Sequence, residues 1–355
     1  MTVSADERYM ALSVRVLAEC GAAEIDGIDC SQRLDPATEA AVRDAFHEHG
    51  VLVVRDQRLD AAQFASFVTR IAPLESTGSD HPGVTVEQPA EERPRRTQAA
   101  VFERWSSVVE AERAAPPVVA APGLQPAPAA ETDSILYLHP DSPDVMILTN
   151  QVRPGLVPVG IVDDAHTWHT DGEHKPEPSL GTALYALRNP SRGGDTEFCN
   201  MSMVYDALPI GTKGVVEGRL AVRHWSKARN PRIAPMLDAQ TRAEYERKAH
   251  GVPEVRHPAV RTHPATGRRS LFVSPRFTIA LDGLDAVSSE RLLTEIFGLM
   301  EEPRYRYRHR WRDGDLVIWD NRCINHRACG GYTSNDERTM LRVTLRGDRP
   351  YYRPA

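Results

Sequence analysis

His169-Thr170-Asp171 and His326 place the tightest constraint on how this chain folds. An imidazole and a carboxylate two residues apart on an extended segment point to one side. A second imidazole arrives 155 residues later (326 − 171), inside the run Trp319-Asp320-Asn321-Arg322-Cys323-Ile324-Asn325-His326. A fold that uses all three must bring two distant extended segments to one point. Two histidines and one carboxylate grip a ferrous ion by one face and leave the opposite positions open for a co-substrate and dioxygen. The pattern predicts an enzyme that activates oxygen.

Composition permits this. The chain has 355 residues, 41% of them apolar, enough for one large domain or two ordinary ones with a substantial core. A formal charge of −6 gives no reason to expect nucleic acid or an anionic membrane surface as partner. No apolar run reaches the length of a membrane span, and Met1–Arg15 lacks a charged-then-apolar leader pattern. The expected partner is a small-molecule substrate and the expected location cytoplasmic, with a homo-oligomer left open. Five cysteines, Cys20, Cys30, Cys199, Cys323 and Cys329, form an odd, scattered set without CxxC spacing, which suits reduced thiols. Cys323, His326 and Cys329 also admit a zinc reading. On a strand, residues an odd number apart face opposite sides, so His326 turns away from both thiols, and the cysteines read as packing residues.

Helix and strand alternate through the first 75 residues. Asp35 caps a helix with Pro36 at its first position, an apolar stripe of Ala41, Val42, Ala45 and Phe46, and Gly50 at its end. Val51–Val54 reads as a short buried strand. Asp60 with Gln63 forms a capping box, and Leu59 with Phe64 a staple, so a second helix runs to about Ile71. Ser76 to about Asp133 is rich in Pro, Ala and charge, which predicts a loop or linker insertion. Within it Val101, Phe102, Trp105, Val108 and Val109 share one helical face, so a lid or subunit contact and a loose linker both stand. The rest is mostly short β-branched and aromatic runs, such as Asp144–Leu148, Leu271–Val273 and Leu316–Trp319, with helices near 238–250 and 288–300. The expected class is α+β, mainly β: a double-stranded β-helix, or jelly roll, with flanking helices and a Pro/Ala-rich insertion.

Several segments in order resemble one family. They are the GAAEIDGIDCS stretch from Gly21, Trp168–Asp171, Gly193-Gly194-Asp195-Thr196, His257-Pro258 to His263-Pro264, Trp319–Arg322, and Gly347-Asp348-Arg349-Pro350. Together they resemble the taurine dioxygenase (TauD/TfdA) family of iron(II)- and 2-oxoglutarate-dependent dioxygenases. The likeness runs from about Gly21 to Ala355, which implies a single domain over 21–355 after an N-terminal tail at 1–20. It implies His169, Asp171 and His326 as iron ligands, with 2-oxoglutarate and dioxygen as co-substrates. The distal carboxylate of 2-oxoglutarate needs a planar two-pronged donor; the resemblance assigns this to Arg338, 12 residues after His326 (338 − 326), with Thr196 as its hydroxyl partner.

Arg342 matches the arginine that binds the substrate's anionic group in sulfonate-using members, and shares strand parity with Arg338. This implies an acidic or amino-acid-like substrate. His174 stands where taurine-using members have an aromatic residue, and His166 and Glu173 add polarity nearby. These three read either as substrate-binding groups or as a solvated loop. The implied reaction oxidises an unactivated C–H, by hydroxylation in the usual case, with release of succinate and carbon dioxide. Desaturation, cyclisation and oxidative cleavage of a natural-product intermediate remain alternatives, whereas Asp171 leaves no open position for halide. A zinc hydrolase has no need of Thr196 and Arg338, and a non-catalytic 2-oxoglutarate sensor has no reason to keep the whole set.

Overall fold

A computed structural model describes residues 12–75, 138–139, 142–150, 166–333 and 335–354. The insertion expected at 76–133, its amphipathic segment and the lid or linker readings lie outside the described residues. Near the N-terminus run β1 (Ser13–Val16), β2 (Ala23–Asp26), α1 (Pro36–His49), β3 (Val51–Val54) and α2 (Ala61–Val68). The first strand lies within the stretch read as a tail, where Val14 pairs with Ile25.

The two helices begin where their local signals place them, with α2 ending at Val68, short of the expected Ile71. Asp35 accepts from the backbone N–H groups of Ala37 and Thr38, and Gly50 closes α1 at φ 71°. Asp60 and Gln63 make the reciprocal capping box of α2. Such a cap stabilises a helix by about 1 kcal/mol.

The middle of the chain contains β4 (Leu138–His139), β5 (Ser142–Thr149), β6 (Gly181–Arg188), β7 (Thr196–Asn200), α3 (Met201–Ala207), α4 (Ile210–Val216), β8 (Leu220–Arg223) and α5 (Ala239–Lys248). It continues through β9 (Val255–Pro258), β10 (Val260–Thr262), β11 (Arg269–Leu271), β12 (Thr278–Leu281) and α6 (Ala286–Leu299). The last strands are β13 (Arg306–His309), β14 (Leu316–Asp320), β15 (Ile324–Ala328) and β16 (Thr339–Leu345). Among the described residues, no helix is long and apolar enough to cross a membrane.

An eight-stranded sheet runs in the order β1-β2-β3-β14-β6-β16-β5-β4, antiparallel except for the β2–β3 pair. Alternation along β14 shows how the layers stack. Leu316 and Ile318 join Phe46, Phe64 and Phe67 of α1 and α2 on one face. Val317 and Trp319 point the other way, into a cluster with Phe198 and Ile324 of the three-stranded sheet β13-β7-β15. Full burial of such side chains stabilises the fold by about 1.5–3 kcal/mol each. The architecture is mainly β, with helices covering one face of the large sheet. The candidate site lies on the opposite face.

Candidate metal and co-substrate site

His169 and His326 meet as an isolated antiparallel bridge. The His169 N–H donates to the His326 carbonyl at 3.1 Å, and the His326 N–H to the His169 carbonyl at 2.8 Å. This pairing brings together segments far apart in sequence. Trp168 anchors the approach: its Nε1 donates to Glu301 at 2.8 Å, and Arg327 covers its ring at 4.3 Å. Thr170, facing the other way, is buried and donates to the Ile324 carbonyl.

One ligand atom from each of His169, Asp171 and His326 lies within 4.8 Å of the others. His169 Nδ1 stands 2.8 Å from the Thr167 carbonyl. A carbonyl only accepts, so Nδ1 carries the proton and Nε2 presents its lone pair. Thr182 donates to Asp171 Oδ2 at 2.6 Å, and Arg342 Nη2 lies 3.1 Å from Oδ1. His326 Nε2 stands 3.7 Å from Asp171 Oδ2, and its buried Nδ1 has no hydrogen-bond partner among the described residues.

The electrostatics favour a cation. Burial, helped by His326 and Arg276, pushes His169 well below the ordinary imidazole value. Burial lowers His326 to about 4. Burial opposes ionisation of Asp171, yet Arg342, His326 and His169 together hold its carboxyl below the usual range. At neutral pH the three candidate ligands are therefore two neutral imidazoles and a carboxylate, the forms that bind metal. Nitrogen and oxygen donors of this kind fit a ferrous ion.

Arg338 sits at the entry of β16 beside the β7 approach. A Cβ on Gly194, whose φ is +73°, would lie 3.4 Å from Arg338 Nε. That Nε is buried and has no hydrogen-bond partner among the described residues. Partial burial lowers the pKa of the guanidinium, and a half-buried guanidinium with an unpartnered Nε fits an arriving carboxylate. Thr196, also buried, accepts a hydrogen bond from Trp311 Nε1 at 3.0 Å.

The remaining predicted residues divide. Arg342 reaches Asp171 directly. His174 lies against Phe277, ring centroids 5.1 Å apart, and Phe277 meets His169 edge-on at 6.3 Å. Burial pushes His174 down to about 4, and its Nδ1 is buried without a partner. Glu173 is fully buried, takes a hydrogen bond from Ser274 and lies 3.5 Å from Arg223. It belongs to an internal ion pair. His166 is exposed, with Nδ1 2.9 Å from the Ala328 carbonyl. Thr182, Trp311 and Phe277 did not emerge from sequence, because nothing in their local runs marks them as neighbours of a ligand.

A second group, His47, His263 and Asp320, also clusters. There Arg322 forks onto Asp320 at 2.8 and 2.6 Å. His263 Nδ1 accepts from the N–H groups of Ala265 and Thr266, leaving Nε2 to donate to Asp320 at 3.0 Å. With both His263 nitrogens engaged, His47 Nδ1 3.0 Å from Arg322 Nη2 and a guanidinium in the group, this is a buried ion network. Neither cluster includes a cysteine.

A profile of the taurine catabolism dioxygenase TauD, TfdA family matches residues 13–118 and 120–344. The chain belongs to this family. Among curated TauD/TfdA relatives, the alpha-ketoglutarate-dependent 2,4-dichlorophenoxyacetate dioxygenase of Cupriavidus pinatubonensis is 37% identical over 181 residues, covering 51% of this chain and 60% of the relative. The alpha-ketoglutarate-dependent sulfate ester dioxygenase of Pseudomonas putida is 31% identical over 188 residues, covering 52% and 61%. The chain thus spans about three-fifths of the length of the curated relatives it matches. In fold it is similar to a taurine dioxygenase from Burkholderia xenovorans, with TM-score 0.64 and 22% identity over 96% of this chain and 91% of that one. AAD-2 in complex with Mn(II) and N-oxalylglycine gives TM-score 0.65 and 20% identity over 96% and 99%.

Proposed function

We propose that this chain is an iron(II)- and 2-oxoglutarate-dependent dioxygenase that hydroxylates a C–H bond of a small anionic substrate. The observation that carries the reading is the His169, Asp171 and His326 set, whose ligand atoms lie within 4.8 Å of one another in metal-binding protonation states; the half-buried Arg338, with its buried and unpartnered Nε, supports it. The named relatives act on 2,4-dichlorophenoxyacetate and a sulfate ester, compounds that share an anionic group. On this reading the sheet pair is a double-stranded β-helix within one domain that includes β1 and so begins before residue 21.

Each side chain has a distinct task. Thr167 holds the His169 proton on Nδ1, and Thr182 fixes the Asp171 carboxylate, so the ligand atoms are set before metal arrives. Arg338 and Thr196 anchor the distal carboxylate of 2-oxoglutarate. Arg342, on the Asp171 side, supplies the positive charge for a substrate anion. His174, neutral at pH 7, borders the substrate through Phe277. Iron held by His169, Asp171 and His326 would, with 2-oxoglutarate and dioxygen, supply the oxidising chemistry that yields succinate and carbon dioxide.

The test is iron-dependent succinate release from 2-oxoglutarate in air, against a panel of aryloxy acids, sulfonates, sulfate esters and amino acids. Stimulation by an anionic class is the expected result. A chain that binds iron and 2-oxoglutarate but releases no succinate under any condition is a sensor, and the proposal fails.

A further inference from the structure

We propose that Trp311 is a positioning residue for the co-substrate, acting through the Thr196 hydroxyl. The proposal rests on the reading of Thr196 and Arg338 as the 2-oxoglutarate anchor. An indole N–H only donates, whereas a hydroxyl can accept and give one proton. The 3.0 Å bond from Trp311 Nε1 therefore makes Thr196 Oγ1 an acceptor on that side. Its own proton must point elsewhere, and no acceptor for it exists among the described residues. Thr196 is only 5% exposed, so a hydroxyl proton left unsatisfied there costs stability until a ligand acceptor arrives.

The indole is itself held. Its ring meets His309 edge-on, centroids 4.6 Å apart and planes at 81°. His309 pairs with Thr196 across the β13–β7 ladder. The His309 Nε2 stands 3.0 Å from Asp315 Oδ2, and Tyr307 lies 3.0 Å from its Nδ1. A carboxylate only accepts, so Nε2 carries the proton and Nδ1 accepts from the Tyr307 hydroxyl. Arg55 and the Arg312 N–H bind the same Asp315 oxygen at 2.7 and 2.9 Å. Every polar atom of His309 is engaged, so the surface against which Trp311 rests is fixed.

The consequence is selectivity for an acceptor-only group. Thr196, obliged to donate, and Arg338, able only to donate, together favour a carboxylate over a neutral hydroxyl or amide. Without the indole N–H, the Thr196 hydroxyl can turn and accept as readily as donate.

Calorimetric titration of the Mn(II)-loaded protein tests this, using 2-oxoglutarate and 2-oxobutanoate, a keto acid that lacks the distal carboxylate. Trp311→Phe is expected to weaken 2-oxoglutarate about three- to tenfold and to leave 2-oxobutanoate and Mn(II) affinities unchanged. In a Thr196→Val background the same substitution is expected to have no further effect. Equal losses for both keto acids, unchanged 2-oxoglutarate affinity, or additive losses in the double variant overturn the Trp311 role. Thr196→Val, nearly isosteric, reads the contact from its other side if Trp311→Phe does not fold: unchanged 2-oxoglutarate affinity there also overturns the role. Arg338→Met and Thr196→Val that both bind 2-oxoglutarate normally overturn the anchor reading itself.

Discussion

Asp171 is the residue on which the candidate site turns, because Thr182, Arg342, His169 and His326 all act on its carboxylate. Asp171→Ala is expected to abolish Mn(II) binding at micromolar metal. Trp319 lies 4.7 Å from the His326 ring, so its fluorescence reports the titration. Thr182→Val keeps the candidate ligands and removes the hydrogen bond to Oδ2 together with the one Thr182 accepts from Asn321, and should weaken the metal roughly 10- to 100-fold. Full-strength binding by Asp171→Ala would remove Asp171 from the ligand set, and full-strength binding by Thr182→Val would remove Thr182 from its support. The histidine and aspartate spacing was legible in sequence because ligand chemistry demands particular residue types. Thr182 was not, since a threonine in an apolar strand is ordinary until the strand beside Asp171 is known.

At the scale of elements, local chemistry sets the helices and close backbone approach sets the site. Asp35 accepts from Ala37, Thr38 and the Thr38 hydroxyl. Asp35→Ala should cost about 1 kcal/mol in urea unfolding, and Asp35→Ser much less. A harsher effect is expected at Gly193, whose φ is +78° and where a Cβ would lie 2.3 Å from the Gly331 carbonyl oxygen. Gly193→Ala must force apart the loops leading to Thr196 and Arg338, so 2-oxoglutarate binding should fall much further than Mn(II) binding. Equal losses would indicate general unfolding instead. Helix α1 was readable to its caps because an N-cap aspartate and a C-terminal glycine act within a few residues. The Gly193 approach was not, because the opposing loop is 138 residues away (331 − 193).

For the whole molecule, buried neutral histidines tie stability to pH. Burial, aided by Arg223, pushes His257 down to about 3, while burial lowers His174 and His326 to about 4, from 6.5. Between those values the unfolded chain binds more protons than the folded one, so stability rises with pH and is lost as pH falls from about 6.5 toward 4. The melting temperature without added metal should drop across that window, and His257→Gln, which keeps an N–H for the Lys175 carbonyl, should shallow the drop. A flat profile would refute the account. By itself, the sequence determined the candidate metal-ligand residues, the helix caps, the apolar strands and the family, because each depends on residue type within a short span or on an ordered set of short segments. Only the tertiary structure decided that Glu173 joins an internal ion pair with Arg223, that Arg342 reaches Asp171, and that Trp311 meets Thr196. Those outcomes depend on which strands become neighbours, and strand pairing joins residues whose separation in sequence carries no local signal.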